Sequence, residues 1–248
     1  MRVLFVEQDH ASPAGLVGDA FASLGYDVSE VTVVPSSRFD HPDVTAVFPD
    51  PAAYDAIVFF GAVWSVYDEA TIGTWIGDEI AFARSAHGLG VPLLGICFGG
   101  QLLAAAVGGS VSRAPVPEIG WLPVETAAPG LIDAGPWFQW HFDRFTVPSG
   151  IPVLARTAAA DQAFQVGRTL GLQFHPELTS SVLECWLDNG GTGQLAAAGM
   201  DAGALLERTR SLEGVSAVRA HELIRRFVAD VTTGPAAPLP YGLGAAVR

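Results

Sequence analysis

The chain has 248 residues, half of them hydrophobic, which is enough to bury the core of one α/β domain. Its formal charge of −13 disfavours nucleic acid and anionic membranes as partners, because both repel an acidic protein. All 13 basic residues are arginine, which excludes a lysine Schiff base and a phosphate-loop lysine. The frequent Arg, Ala, Gly and Val residues are typical of a GC-rich bacterial genome.

Three features of the sequence bear on location and cofactors. No apolar run reaches membrane-spanning length, and the first predicted strand begins at Arg2, which leaves no room for a secretory signal. The two cysteines, Cys97 and Cys185, are too few for a disulfide framework. No cluster of Cys, His and carboxylate residues has metal-ligand spacing. We therefore expect a cytoplasmic protein without a metal or an organic cofactor.

The hydrophobic pattern predicts alternating strands and helices in the first half of the chain. Strands are predicted near residues 2–6, 28–34, 56–60, 91–96, 119–125, 151–155, 162–166 and 169–174. Helices are predicted near residues 14–24, 69–86, 98–107, 179–188 and 215–231. This order predicts an α/β fold with a doubly wound, mostly parallel central sheet flanked by helices. Residues 110–166 are poor in helix and rich in Pro and Gly, which predicts a small antiparallel addition at one edge.

The same pattern divides the chain into three parts. We predict a catalytic domain over residues 1–190, a helical extension over residues 191–233 that packs on the same domain, and a Pro/Gly-rich tail over residues 234–248. The last predicted helix carries an apolar stripe with roughly helical spacing, formed by Val215, Val218, Leu223, Ile224, Phe227, Val228 and Val231.

The strongest chemical signal is the stretch Gly-Ile-Cys-Phe-Gly-Gly-Gln over residues 95–101. Gly95 and Gly99 flank Cys97 between a predicted strand and a predicted helix. This is typical of a nucleophile elbow, a turn so tight that the neighbours must lack side chains. N–H groups of the helix then point at the sulfur, which favours the thiolate. We predict that Cys97 is a nucleophile, whereas Cys185, with no glycine nearby, fills the core.

A proton-transfer partner for this cysteine is found in Gln-Phe-His-Pro-Glu, residues 173–177. His175 follows an apolar strand, and Pro176 forces the chain off that strand. Glu177 then lies within reach of the imidazole, where its carboxylate would select the tautomer and stabilise the imidazolium. The sequence therefore predicts a Cys97/His175/Glu177 triad.

A candidate oxyanion hole lies after the strand predicted at residues 56–60. Gly61 ends this strand and would expose backbone N–H groups beside the sulfur. With the N–H of Phe98, these groups would stabilise a tetrahedral oxyanion. Taken alone, the glycine is as well explained by an ordinary strand-to-loop turn.

Six motifs in the sequence resemble the class I, triad-type glutamine amidotransferase family, in particular the amidotransferase domain of GMP synthetase and its stand-alone relatives. The resemblance spans residues 2–187 and implies a flavodoxin-like fold. The motifs are GICFGGQ (95–101), QFHPE (173–177), SVYDE (65–69), PEIGWLP (117–123), WHFD (140–143) and AFQV (163–166).

The resemblance implies a mechanism on glutamine. Cys97 attacks the side-chain carbonyl, and backbone N–H groups of Phe98 and of the Gly61–Ala62 turn hold the oxyanion. His175, oriented by Glu177, protonates the departing ammonia and then activates the water that hydrolyses the γ-glutamyl thioester. In family members with a synthetase partner, the ammonia passes to that partner.

The resemblance also implies residues on the substrate side. Gln101 and the Gly61 turn correspond to positions that hold the amino-acid end of glutamine, and His141 and Phe142 correspond to a loop whose backbone contacts the α-carboxylate. His141 and Asp143 themselves are interpreted mainly as structural.

The sequence departs from the family pattern at two places on the substrate side of the site. The oxyanion strand ends Gly61-Ala62-Val63 in place of Gly-Gly-Pro, and alanine resists the positive φ that glycine permits. Phe142 replaces a glycine and would narrow the pocket.

The sequence leaves several functions open. The first is a glutamine-hydrolysing amidotransferase, either free-standing or feeding ammonia to a separate synthetase, since the chain has no phosphate loop and no second domain for ATP. The second is a γ-glutamyl hydrolase or peptidase, favoured by Ala62, Val63 and Phe142. The third is a non-catalytic regulatory module, against which the intact triad argues. A cysteine hydrolase of the DJ-1 type ranks lower, because it has no counterpart of Phe-His-Pro-Glu.

Overall fold

The computed structural model describes residues 1–235 and contains one nine-stranded mixed sheet, with the strand order β2-β1-β3-β4-β9-β8-β7-β5-β6. The strands are β1 (Arg2–Glu7), β2 (Asp27–Thr32), β3 (Ala56–Phe59), β4 (Leu93–Ile96), β5 (Ser110–Thr126), β6 (Gly135–Thr146), β7 (Val153–Arg156), β8 (Asp161–Val166) and β9 (Thr169–Leu172). The helices are α1 (Gly15–Ser23), α2 (Glu69–Ile72), α3 (Ile76–Gly88), α4 (Phe98–Ala106), α5 (Ser180–Trp186), α6 (Thr192–Ala197) and α7 (Ala202–Arg226).

The predicted α/β fold is confirmed, and its parallel half positions the candidate site. Strands β2, β1, β3, β4 and β9 run parallel to one another. Their carboxyl ends therefore meet at one edge of the sheet, which is where open α/β sheets bind ligands. Gly61, Cys97 and His175 all follow strands of this half.

Both faces of β1, β3, β4 and β9 are buried. Val3 and Phe5 of β1 enter one apolar cluster, which also contains residues of α1 and α7, whereas Leu4 and Val6 enter a second cluster with residues of α3 and α4. Because successive side chains of a strand point to opposite faces, strands with helices on both sides are apolar at every position. This explains why the sequence shows them as continuous hydrophobic runs.

The predicted antiparallel addition is present, but it is larger than the sequence suggested. β5 and β6 form a hairpin of 17 and 12 residues, and no strand was predicted over residues 135–146. The reason is that β6 buries polar side chains: Gln139, His141 and Asp143 are buried. A pattern that expects apolar residues on the inner face therefore misses this strand.

Two helix predictions were wrong in their extent. Residues 69–86 form two helices, because the chain turns after α2 to bury Trp75, whose indole N–H donates to the Pro42 carbonyl (2.9 Å). The helix predicted at residues 215–231 begins at Ala202, where the Asp201 side chain caps it by accepting the Ala204 N–H (2.7 Å). A wider helical turn over Phe227–Val231 follows α7.

The second half of α7 packs against α1 and the sheet. Leu223, Ile224 and Phe227 are buried in the cluster that contains Phe21 of α1, and the Phe21 and Phe227 rings lie 6.4 Å apart. Val215 and Val218, by contrast, are 45% and 70% exposed, so the predicted stripe was wrong at these two positions. The apolar residues of this segment are therefore buried only on the face that contacts α1 and the sheet.

Among the residues that the structure describes, no helix is both long and apolar enough to cross a bilayer. The predicted tail over residues 234–248 lies outside them from residue 236 onward.

Truncation of Phe227, the residue that follows α7, tests how much the packing of this segment contributes to the free energy of unfolding. We expect Phe227→Ala to lower the free energy of unfolding by about 3–5 kcal/mol, because it removes a fully buried ring. Val218→Ala is the matched control on the exposed face, with an expected change within about 0.5 kcal/mol. Urea unfolding measures both; equal effects would contradict the packing described.

Candidate active site

The predicted elbow is present between β4 and α4. β4 ends at Ile96 and α4 begins at Phe98, so Cys97 alone makes the turn. Its φ and ψ are 52° and −106°, and within residues 1–235 it is the only non-glycine residue with positive φ. Backbone strain of this kind costs about 1–3 kcal/mol and is typical of functional sites.

The glycines around Cys97 are required by close backbone contacts. A Cβ on Gly95 would overlap the Gly99 carbonyl, and one on Gly99 would overlap the Phe59 carbonyl of β3. A Cβ on Gly100 would overlap the Leu172 carbonyl of β9. The helix that follows the elbow therefore packs directly on the backbones of the two neighbouring strands.

His175 and Glu177 form a buried pair at the end of β9. His175 Nδ1 lies 2.7 Å from Glu177 Oε1, and both side chains are almost inaccessible to solvent. Because a carboxylate only accepts, the bond makes Nδ1 the donor and leaves Nε2 for other partners. The N-terminus of α1 holds this segment, since the Leu16 N–H donates to the Glu177 carbonyl (3.0 Å) and a Cβ on Gly15 would overlap that oxygen.

The environment of His175 favours its charged form. Burial opposes the positive charge, but the negative charges and hydrogen bonds of Glu177 and Cys97 outweigh burial and raise the pKa of His175 to about 10. The rings of Trp186 (4.8 Å between centroids) and Phe138 (6.4 Å) enclose the imidazole. Cys97 and His175 are thus electrostatically coupled.

The turn after β3 lies beside both residues. A Cβ on Gly61 would be 3.4 Å from His175 Cε1 and 3.9 Å from the Cβ of Cys97. Neither Gly61 nor Ala62 has positive φ, so the alanine in place of the family's second glycine causes no backbone strain here. The buried Asp9 carboxylate accepts the Ala11 N–H (2.7 Å).

Cys97, His175 and the Gly61–Ala62 turn line one cavity of about 150 Å³. The predicted oxyanion residue Phe98 and the predicted substrate-side residues Gln101, His141 and Phe142 line the same cavity. Gln101 Nε2 donates to the Asp143 carbonyl (3.3 Å) and to Gln173 Oε1 (3.4 Å). The Arg113 guanidinium lies 5.0 Å from the centre of the Phe142 ring. Among the lining residues of the described chain, Arg113 is the one arginine.

Asp143 and His141 support the cavity from β6. The Asp143 carboxylate accepts hydrogen bonds from the hydroxyls of Ser65 and Tyr67 (2.8 Å for Tyr67), which tie β6 to the loop after β3. His141 Nδ1 lies 2.9 Å from the Asp143 carbonyl, and its Nε2 lies 3.1 Å from Glu118 Oε2.

Several residues of the site were not assigned a role from the sequence. Gln173 Nε2 donates to the Cys97 sulfur (3.7 Å), and the Trp140 carbonyl lies 3.9 Å from that sulfur. Others come from the turn after α5, where Asn189 and Gly190 depart from helical φ/ψ. The quoted motifs contain Gln173 and Trp140, but nothing in the sequence indicates that the kinked turn reaches the cavity. The cavity-lining residues in and around this turn are Trp186, Asn189, Gly191 and Gln194.

Cys185 lies elsewhere, on α5, and does not line the cavity. It is partly buried, and burial raises the pKa of its thiol, which makes it a poorer nucleophile at neutral pH.

The His175 environment predicts a pH dependence of stability. The His175 pKa is raised from 6.5 to about 10, so its stabilising contribution is complete below pH 6.5 and is lost as pH rises through 10. We expect wild-type stability to fall over this window more steeply than that of His175→Gln, when urea unfolding is followed at several pH values. Parallel profiles for the two proteins would contradict a charged His175.

Comparisons with known proteins show the family of the chain. Residues 17–189 match the model of the family described as glutamine amidotransferase class-I. The GMP synthase [glutamine-hydrolyzing] of Aeropyrum pernix is 38% identical over 51% of this chain, but only 25% of the relative's length is matched. In Sulfolobus acidocaldarius, a relative named as one subunit of a GMP synthase [glutamine-hydrolyzing] is 33% identical over 59% of this chain and 82% of its own length.

A solved glutamine amidotransferase from Thermotoga maritima superimposes with a TM-score of 0.79 at 26% identity, covering 92% of this chain and 98% of the other. Similar proteins come from both archaea and bacteria, so a bacterial source stays a prediction. The family match covers well over half of the chain and includes the elbow, the strands around it and the His175–Glu177 pair. The chain belongs to the class I glutamine amidotransferase family.

Proposed function

We propose that this protein hydrolyses the side-chain amide of glutamine to glutamate and ammonia through a thioester on Cys97. The observation that carries the proposal is the strained Cys97 elbow coupled to the buried His175–Glu177 pair. A nucleophile, a base and a group that orients the base are the parts that acyl transfer needs. The strained cysteine beside a histidine of raised pKa argues against a non-catalytic regulatory module, which does not require either feature.

The proposed first step forms the thioester. The Cys97 thiolate attacks the γ-carbonyl carbon, and the oxyanion accepts hydrogen bonds from the N–H of Phe98 and from the Gly61–Ala62 turn. The C–N bond breaks, and His175 gives its proton to the departing nitrogen.

In the proposed second step, neutral His175 takes a proton from water, which attacks the thioester carbonyl. Glutamate leaves and the thiolate is regenerated. Glu177 acts on both steps through the Nδ1 hydrogen bond, which fixes the ring and stabilises its charge.

We propose that the amino-acid end of the substrate lies on the side of Gln101, His141 and Phe142, near the Gly61 turn. Arg113 supplies a positive charge at this end of the cavity for a carboxylate. Asp143, whose carboxylate accepts hydrogen bonds from two hydroxyls, supplies a negative charge for an ammonium group.

A separate partner is proposed from the named relatives. Sulfolobus acidocaldarius and Sulfurisphaera tokodaii have relatives whose names describe them as single subunits of GMP synthase, and the matches cover 82% and 68% of their lengths. We propose that the ammonia is delivered to a separate synthetase in the cytoplasm.

Release of glutamate and ammonia from L-glutamine tests the triad. We expect Cys97→Ser to lower kcat at least about a thousandfold, since an alcohol replaces the thiolate. We expect His175→Ala to lower kcat at least about tenfold more than Glu177→Gln, because Glu177 acts only through the His175 ring and transfers no proton itself. Circular dichroism checks that the variants are folded.

Two outcomes would contradict the assignment. Activity retained by Cys97→Ser would refute the nucleophile. A larger loss for Glu177→Gln than for His175→Ala would show that Glu177 has another role.

A further inference from the structure

The cavity has two halves that meet at Cys97. The amino-acid half surrounds Asp143 and is formed by Ser65, Gln101, Arg113 and Phe142. The tryptophan half lies around His175 and is formed by Trp140, Trp186, Asn189 and Gln194.

The tryptophan half lies beside His175, the residue proposed to protonate the leaving group. The Trp186 ring packs against the His175 ring at 4.8 Å and 68°, and the Trp140 ring packs against Trp186 at 5.9 Å and 88°. Because Nδ1 of His175 is bound to Glu177, the proton for the leaving nitrogen comes from Nε2. A group bonded to that nitrogen would lie close to His175 and therefore within reach of these rings.

Both indoles are held in fixed orientations. The Trp186 N–H donates to the Ala11 carbonyl (2.7 Å), and the Trp140 N–H donates to Gln194 Oε1 (2.8 Å). The two indole N–H groups are thus satisfied, so the rings of these two cavity-lining residues offer apolar surface. Flat apolar groups pack well on such surfaces.

The backbone after α5 is shaped to make this wall. Gly190 has φ 102°, and a Cβ on Gly191 would lie 2.6 Å from the Trp186 carbonyl oxygen and 3.1 Å from Cη2 of Trp140. The kinked turn therefore brings Asn189 and Gln194 to the cavity, where their amides are neutral hydrogen-bonding groups. Apart from His175, no charged side chain among the described residues belongs to this half.

We propose that the tryptophan half is a leaving-group subsite and that the substrates include γ-glutamyl amides of uncharged amines with an aromatic group. This inference rests on the proposed thioester mechanism and extends its leaving group beyond ammonia. Cys97 forms the bond to the γ-carbonyl carbon, the C–N bond breaks, and His175 protonates the nitrogen to release the free amine. Water then hydrolyses the thioester to glutamate, so that one amide and one water give one acid and one amine.

Three substrates test the subsite on the full-length protein: L-glutamine, γ-L-glutamylanilide and γ-L-glutamylglycine. Release of aniline, ammonia or glycine is measured by chromatography. We expect kcat/KM for the anilide to equal or exceed that for glutamine. The glycine conjugate should be cleaved more slowly than the anilide, because its carboxylate would gain no arginine partner in this half of the cavity.

Trp140→Leu tests whether the tryptophan half is responsible for cleavage of the anilide. We expect it to lower the ratio of kcat/KM for the anilide to that for glutamine about three- to tenfold, because it removes one aromatic contact. Trp121→Leu is the matched control: Trp121 packs on Phe138 from β5 but does not line the cavity, so this ratio should not change. Gln194→Ala, an exposed position that frees the Trp140 indole, should lower the ratio without affecting folding.

The outcomes separate this inference from the proposed function. Hydrolysis of glutamine but not of the anilide would overturn the subsite and leave the glutaminase mechanism intact. Anilide hydrolysis with an unchanged ratio in both Trp140→Leu and Gln194→Ala would also overturn it. Hydrolysis of none of the three substrates would overturn the proposed function together with the subsite.

Discussion

The site depends on the close approach of α4 to the backbones of β3 and β9. Gly99 and Gly100 touch the carbonyls of Phe59 and Leu172, and this contact leaves Cys97 alone to make the turn from strand to helix. The positive φ of Cys97 costs about 1–3 kcal/mol, and packing of the surrounding sheet must hold it. This backbone conformation fixes the sulfur at the carboxyl edge of the sheet and at the N-terminus of α4.

The sheet order brings the other groups to the same place. β9 pairs directly with β4, so the segment that leaves β9 carries His175 and Glu177 toward Cys97. On the other side, β3 pairs with β4, and its end carries the Gly61 turn. The β5–β6 hairpin then supplies the outer wall.

The sequence predicted the parts of the site that depend on local backbone geometry. Glycines two positions on either side of Cys97 have few explanations other than a tight turn. His175 before Pro176 and Glu177 is weak evidence by itself and indicates a catalytic pair because the elbow cysteine is also present. It did not predict β6, because this strand buries Gln139, His141 and Asp143 where apolar residues were expected. Buried polar side chains on facing elements can be recognised only when their partners in the fold are known.

The tryptophan half was missed for a different reason. Trp186 and Gln194 lie on either side of a kinked turn, and they reach the cavity only because Gly190 and Gly191 allow the chain to bend back toward Trp140. The hydrophobic pattern of residues 179–188 predicts a helix and gives no sign of this bend. The apolar runs in the sequence thus predicted the fold of the parallel half. The shape of the substrate cavity could not be predicted in this way, because it depends on contacts between distant segments.

We propose that Cys97 is the nucleophile of a cavity that accepts glutamine. The most direct test is intact-protein mass spectrometry after treatment with 6-diazo-5-oxo-norleucine, a glutamine analogue whose diazo group is displaced by an active-site thiolate. We expect one adduct on the wild-type protein and none on Cys97→Ser. An equal adduct on the variant, or no adduct on a wild type whose Cys97 reacts with a small alkylating agent, would contradict the claim.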